Sequence, residues 1–147
     1  MVSIVFNCDL DLAKTLSDLE DEIFSTSWDP IWIREKINNE QVIYWIKQKK
    51  KEVVGYLAIQ FFGNDVEILG LGVLKEYRRK GYAFELMTSM MEYFEQSSYK
   101  KIFLEVKDSN IKAKRLYSDF KFNRTGTHLN FYKDEDAAIY ELSIDNE

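Results

Sequence analysis

Residue types that organise many active sites are nearly missing from this chain: among 147 residues there is one cysteine, one histidine and one proline, with only six glycines. Cys8 has no internal disulfide partner, and Cys8 with His128 alone excludes the usual Cys/His zinc constellations, so no metal is expected. No Pro/Gly/Ser linker, repeat or low-complexity tract divides the chain, and a single domain over residues 1–147 is expected. An excess of basic charge is also absent. The formal net charge is −5 with a pI near 5.1, which lacks the footprint of a nucleic-acid binder. The longest apolar run, Val53 to Ile59, falls far short of the roughly 20 residues a membrane-spanning helix needs. The opening MVSIVFNCDL has neither a basic flank nor a secretory apolar region, so a soluble, cytoplasmic chain without membrane contact is expected.

What is present is core material, 46% apolar residues with 15% aromatics, and an uneven charge distribution. Residues 1–40 carry nine acids (Asp9, Asp11, Asp18, Glu20, Asp21, Glu22, Asp29, Glu35, Glu40) against three bases. These acids are either solvated helix faces or a surface that attracts a cationic substrate.

Hydrophobic period divides the chain into elements. Val2 to Phe6 reads as a strand. A helix from about Asp11 to Phe24 follows, with a stripe of Leu12, Leu16, Leu19 and Ile23. Asp29-Pro30 starts a short second helix carrying Ile33 and Ile37. Val42 to Ile46, Glu52 to Phe62 and Val66 to Val73 read as antiparallel strands, with turns at Lys49-Lys50-Lys51 and Gly63-Asn64-Asp65. From Gly81 to about Ser97-Ser98 the pattern is helical, with Ala83, Leu86, Met87, Met90, Met91 and Phe94 on one apolar face. Lys101 to Val106 reads as a strand with Ile102, Leu104 and Val106 on one face and Phe103 and Glu105 on the other. Asp108-Ser109-Asn110 caps a helix with the stripe Ala113, Leu116, Tyr117 and Phe120. Strands over about 123–132 and 137–144 close the chain. The order βααβββαβαββ predicts an α/β (α+β) domain: a mixed, mostly antiparallel sheet of six to seven strands with helices on both faces. The crossover from Val66 to Val106 should place those two strands parallel.

Leu69 to Phe84, LGLGVLKEYRRKGYAF, runs a buried strand through a basic turn into the amphipathic helix. Unpaired N–H groups and the dipole at such a helix start favour a phosphate. Gly81 leaves the backbone open to a ligand, while Arg78, Arg79 and Lys80 add positive charge. The turn lacks the GK[ST] core of a P-loop and has only Gly81 of a G-x-G-x-x-G fingerprint. An ordinary strand-to-helix turn with exposed basic residues remains the alternative.

Arg78-Arg79-Lys80-Gly81-Tyr82-Ala83 resembles the Q/R-x-x-G-x-G/A motif of the GNAT superfamily of N-acetyltransferases. Leu104-Glu105-Val106-Lys107-Asp108-Ser109-Asn110, then Leu116-Tyr117 and Phe120-Lys121-Phe122, is similar to the L-E-V-x-x-S-N…L-Y…GF run of the ribosomal-protein-alanine N-acetyltransferases. Asn130-Phe131-Tyr132, Asp136-Ala137-Ala138 and Ser27-Trp28 resemble that family's NYY, DA and P-W segments. Departures are Ala83 for the second glycine, Asp119-Phe120-Lys121-Phe122 where Gly-Phe is usual, Phe131 for the first tyrosine of NYY, and no proline after Tyr132.

The resemblance implies the GNAT fold and acetyl-CoA as cosubstrate, lying in a cleft where the strands ending near Val73 and Val106 splay apart. Backbone groups of Leu71, Gly72 and Val73 would bind its pantetheine arm, and the turn from Arg78 and Arg79 through Lys80, Gly81, Tyr82 and Ala83 to Phe84 its pyrophosphate. Asn110 resembles an asparagine that contacts the cofactor arm. Gly70 and Gly72 fit a strand bulge that would free an N–H for the thioester carbonyl; close packing against a helix is the alternative.

Glu105 is the candidate general base, the alternative being an exposed carboxylate paired with Lys101 or Lys107. Tyr117 is the candidate general acid, the alternative being a core tyrosine. The implied reaction is direct acetyl transfer, without an acyl-enzyme, to a protein N-terminus, with a small-subunit ribosomal protein as the family's target. A small amine such as a polyamine or amino sugar, or acyl-CoA binding without turnover, are the other readings. A monomer or homodimer is expected. His128 is placed on a loop or strand surface with no role.

Overall fold

The computed structural model describes residues 1–144. Seven strands and four helices follow one another as β1 (Val2–Val5), α1 (Leu10–Phe24), α2 (Pro30–Asn38), β2 (Val42–Lys49), β3 (Glu52–Phe62), β4 (Asp65–Val73), α3 (Tyr82–Phe94), β5 (Lys101–Lys107), α4 (Ile111–Asp119), β6 (Asn123–Tyr132) and β7 (Glu135–Ser143). This is the predicted order. The strands form one sheet in the order β1-β2-β3-β4-β5-β7-β6, antiparallel throughout except for the parallel pair β4 and β5.

Each element has a local cause. The Asp9 carboxylate accepts from the Leu12 N–H to start α1, and Asp29 accepts from the Ile31 N–H with Pro30 in the first turn of α2. Along β2 and β3 the side chains alternate between two cores. Tyr44, Ile46, Tyr56 and Ala58 meet α1 and α2, whereas Trp45, Leu57 and Ile59 meet α3. A strand covered on both faces needs no polar side, which is why these segments read as near-continuous apolar runs. In α3, Leu86, Met87, Met90 and Phe94 are fully buried, each contributing about 1.5–3 kcal/mol of burial.

The differences from expectation are small and lie at element ends. β1 stops at Val5 and α3 stops at Phe94, before Ser97-Ser98. A single 3-10 turn at Lys75–Tyr77 precedes the basic turn. Three residues carry too little periodicity to announce it.

Candidate active site

The centre of the molecule is a fork in the sheet. β4 and β5 pair in parallel only at Asp65↔Lys101, Val66↔Ile102 and Glu67↔Phe103. Beyond Glu67, β4 stays bonded to β3 as far as Val73↔Gly55, while β5 follows β7 as far as Lys107↔Ala137. Alternate backbone groups of β4 therefore face a gap with no strand partner, an open edge inside the domain. The register on the β3 side slips between Ala58↔Gly70 and Ile59↔Ile68, leaving Leu69 as the extra residue of a bulge. The bulge is present, and close packing against a helix applies to Gly72. Gly70 adjoins the bulge, and a Cβ there would sit 2.6 Å from the Tyr56 hydroxyl; at Gly72 it would sit 2.9 Å from Ile23 and Phe24 of α1.

At one end of the fork lies the basic turn. Arg79 (φ +65°) and Gly81 (φ +80°) both adopt left-handed backbone, and Gly81 occupies the cap position of α3 without any side chain capping the helix. The first-turn N–H groups are thus left for a ligand. A Cβ on Gly81 would meet nothing within 4 Å, so the space above the turn is open. Arg79 and Lys80 are exposed. Arg78 is also tied back, its Nε donating to the Val73 carbonyl at 3.0 Å, which fixes the turn against the end of β4. Leu71, Gly72 and Val73 are thereby joined to the residues from Arg78 to Phe84. Tyr82 and Ala83 are half-buried, and the exposed Phe84 ring lies 4.9 Å from Phe120 at the end of α4. The uncapped helix start, the open space and the neighbouring unpaired strand edge together fit a pyrophosphate with an extended arm.

At the other side of the fork lie ionisable side chains. Ile102, Leu104 and Val106 are buried and Glu105 is on the opposite face, as the alternation predicts. Glu105 does not pair with either neighbouring lysine. Lys101 bonds Glu141, and Lys107 lies over the Tyr132 ring. The partner of Glu105 is His128 of β6, with Nδ1 2.6 Å from Oε2. Glu67 on β4 and Tyr132 on β6 share this neighbourhood. Burial, and then the Glu105 charge, raise Glu67 above its ordinary 4.5; the same two causes, with Glu135 added, raise Tyr132 above 10.0.

Tyr117 is 6% exposed and packs against Phe122 and Tyr140. Burial, with the charge of Tyr132, pushes its phenol upward from 10.0. Its hydroxyl makes no hydrogen bond among the described residues, yet it is not one of the fully buried unpartnered atoms, of which Trp45 Nε1 is the sole example there. Tyr117 and Glu105 share no hydrogen bond; Tyr132 couples electrostatically to both. Asn110 does cap α4, its Oδ1 accepting from the Ala113 N–H at 3.1 Å, and it is exposed. Neighbouring Ser109 donates twice to Glu135, which fastens the start of α4 to β7.

Two other residues matter here without having been singled out. His128 shows no local signal, because strand register alone brings it to Glu105. Glu20 does have one: it follows Leu16 by four residues and so falls on the apolar stripe. It is buried, receives hydrogen bonds from the Tyr44 hydroxyl and the Trp28 N–H, and anchors the α1–α2 loop, where Trp28 stacks on Trp32 at 4.3 Å. The remaining acids of residues 1–40 are exposed. Among the described residues no helix is long and apolar enough to cross a membrane, and no three potential metal ligands gather.

This arrangement has close counterparts. A Bacillus subtilis protein named as a candidate [ribosomal protein bS18]-alanine N-acetyltransferase is 27% identical over 143 residues, covering 95% of each chain. The crystal structure of the ribosomal-protein-S18-alanine N-acetyltransferase from Escherichia coli superposes with a TM-score of 0.85 at 20% identity, over 100% of this chain and 96% of that one. Arabidopsis thaliana NAA60 in complex with acetyl-CoA superposes at 0.80 with 18% identity, over 98% and 99%. Residues 13–122 match the model of the Acetyltransferase (GNAT) family. The match spans both the open strand edge and the turn beside it, and the chain belongs to the GNAT family of acetyltransferases.

Proposed function

We propose that this N-acetyltransferase takes its acetyl group from acetyl-CoA and delivers it to the N-terminal α-amine of a protein, with an alanine-starting small-subunit ribosomal protein as the leading target. The observation that carries the reading is the fork. An unpaired β4 edge joins an uncapped, basic helix start to a group of ionisable side chains, the two halves a thioester-to-amine transfer requires. Relatives named for ribosomal-protein alanine acetylation support the acceptor. The exposed acids of α1, α2 and their flanks suit a basic N-terminus. We further propose a single-domain cytosolic enzyme, monomeric or homodimeric.

In this reading the backbone of Leu71, Gly72 and Val73 holds the pantetheine arm, and the turn from Arg78 to Phe84 holds the pyrophosphate, with Asn110 along the arm. Acetyl-CoA, when bound, supplies an acetyl group activated as a thioester. Glu105 forms the base side of the site. An α-amine with a reference pKa of about 7.7 to 8.0 is already neutral in a sizeable minority at pH 7, so the base has little to overcome. Tyr117 holds its proton at the phenolic oxygen throughout the neutral range, because burial moves its pKa upward. A thiol sits near 8.5, so Tyr117 offers a hydrogen bond as negative charge grows on the departing sulfur more readily than it releases the proton outright.

The test is thiol release from acetyl-CoA in the presence of N-terminal peptides, spermidine or an aminoglycoside. Turnover with Ala-initiated basic peptides is expected. Turnover with the small amines alone overturns the acceptor assignment, and acetyl-CoA binding without turnover on any amine overturns the catalytic one.

A further inference from the structure

We propose that His128 takes the proton from the attacking amine and that Glu105 is the carboxylate that holds and orients its ring. This rests on the acetyl-transfer reading above and changes the identity of its base.

The geometry sets the order of the two groups. His128 Nδ1 lies 2.6 Å from Glu105 Oε2, and the side chains are 50% and 20% exposed respectively. The carboxylate is the inner partner and the imidazole the outer one. A carboxylate accepts, so the proton shared between them sits on Nδ1; the neutral ring then carries its lone pair on Nε2. Nε2 has no hydrogen-bond partner among the described residues. This is the arrangement by which a carboxylate selects the imidazole tautomer that can accept a proton. An imidazole has an unperturbed pKa of about 6.5 against about 4.3 for a glutamate, so of the two group types it is the better proton acceptor near neutral pH.

The register explains why the pair forms. Glu105 lies opposite Ile139 of β7, and His128 lies opposite Ala137, two residues along the same strand and hence on the same face. The contact between the two side chains therefore runs diagonally across β7. Beyond His128 the β6 register slips by two residues before Tyr132↔Glu135. Asn130 in that slip has φ +55°, and its N–H donates to Asp136. Phe131 is folded back so that its ring centroid lies 4.6 Å from the imidazole. A carboxylate behind the ring and an aromatic ring beside it fix its position.

The titratable groups around the pair are Glu67 from β4, Lys107 from β5, Tyr132 from β6 and Glu135 from β7. The step balances as follows. The neutral amine nitrogen bonds to the acyl carbon, and the C–S bond breaks with its electron pair passing to sulfur. One amine proton moves to Nε2 of His128, the thiolate, hydrogen-bonded by the Tyr117 hydroxyl, takes a proton from water, and the half-exposed imidazolium returns its proton to solvent.

The test compares wild type with His128→Asn, His128→Ala and Glu105→Gln in the thiol-release assay with an Ala-initiated peptide, across pH. His128→Asn keeps an N–H for Glu105 but has no basic atom. It should lower kcat/KM about 100-fold, leave the acetyl-CoA KM within about twofold, and remove the imidazole's ionisation from the acidic limb of the pH profile, leaving that of the peptide amine alone. Added imidazole should restore activity to His128→Ala, which a merely structural role would not allow. Since this is the only histidine, its ring resonances are unambiguous by NMR, and the pH at which they move should match the wild-type limb. If His128→Asn stays within about twofold and keeps the wild-type limb while Glu105→Gln loses activity, Glu105 takes the proton itself and the inference is overturned with the acetyl-transfer reading intact. Wild-type protein that releases no thiol with any amine overturns both.

Discussion

The two sides of the fork are built in opposite ways. The turn from Arg78 to Phe84 is one contiguous segment distinguished by its backbone: left-handed residues at 79 and 81, an uncapped helix start and an open space above Gly81. The facing cluster is made of side chains drawn from β4, β5 and β6, Glu67, Glu105, His128 and Tyr132, with α4 contributing Tyr117. A backbone site tolerates change in most of its side chains and fails when its shape is lost. A side-chain site fails when one functional group is removed, even if its shape is kept.

Substitution at Gly81 tests the first half and should give the largest effect. Gly81→Trp fills the open space and is expected to weaken acetyl-CoA binding by more than about 100-fold in calorimetry. The helix it caps should persist, because a non-glycine residue in left-handed backbone costs only about 1–2 kcal/mol. Gly81→Ala carries the same backbone strain but almost no bulk, since its Cβ meets nothing. Affinity near wild type for Ala and lost for Trp identifies occlusion as the cause. Equal losses would mean that backbone conformation matters instead, and wild-type affinity in the Trp variant would remove the turn from the binding site.

The second half breaks one atom at a time. Tyr117→Phe deletes a hydroxyl that makes no internal hydrogen bond among the described residues, so unfolding stability should change by less than about 1 kcal/mol. Turnover should fall by roughly 10- to 100-fold with the acetyl-CoA KM unaltered. Full turnover in this variant would return Tyr117 to the status of a core tyrosine, an assignment its packing against Phe122 and Tyr140 would by itself support.

The same contrast governs what could be read from the sequence. The strands of the central sheet and the stripe of α3 follow from local periodicity, and their residues lie where that periodicity puts them. The basic turn was legible because its glycine and its cations are neighbours in the chain. The Glu105–His128 pair was not, because two residues separated by 23 positions meet only through the registers of β5 on β7 and β7 on β6. A shift of one residue in either pairing would turn one side chain to the far face. Alternation did place Glu105 on the correct face, but nothing local announced that its partner would be a histidine instead of Lys101 or Lys107. Glu20 is the intermediate case. In the sequence reading it is grouped with the exposed acids, whereas its spacing from Leu16 and Ile23 puts it on the buried stripe, and burial is tolerated because Tyr44 and Trp28 satisfy its oxygens.

Glu20 supplies the smallest expected effect and extends the comparison to the α1–α2 loop, a part of the molecule held by one buried carboxylate. Burial raises Glu20 from its ordinary 4.5, outweighing the lowering by its hydrogen bonds to Tyr44 and Trp28. A carboxyl group raised in the folded state favours folding fully below its unfolded value, and this contribution is lost as pH rises through the folded value. Thermal stability of the wild type should therefore decline from pH 4.5 upward by the share that Glu20 carries. Glu20→Gln keeps an oxygen for the Trp28 N–H and an amide facing the Tyr44 hydroxyl, and it has no charge to desolvate. Its Tm should fall less than that of the wild type between pH 4.5 and neutrality, with thiol release nearly unchanged because the loop stays anchored. Parallel Tm curves for the two proteins would show that Glu20 ionises in the fold as it does in water, and that the hydrogen bonds from Tyr44 and Trp28 offset its burial in full.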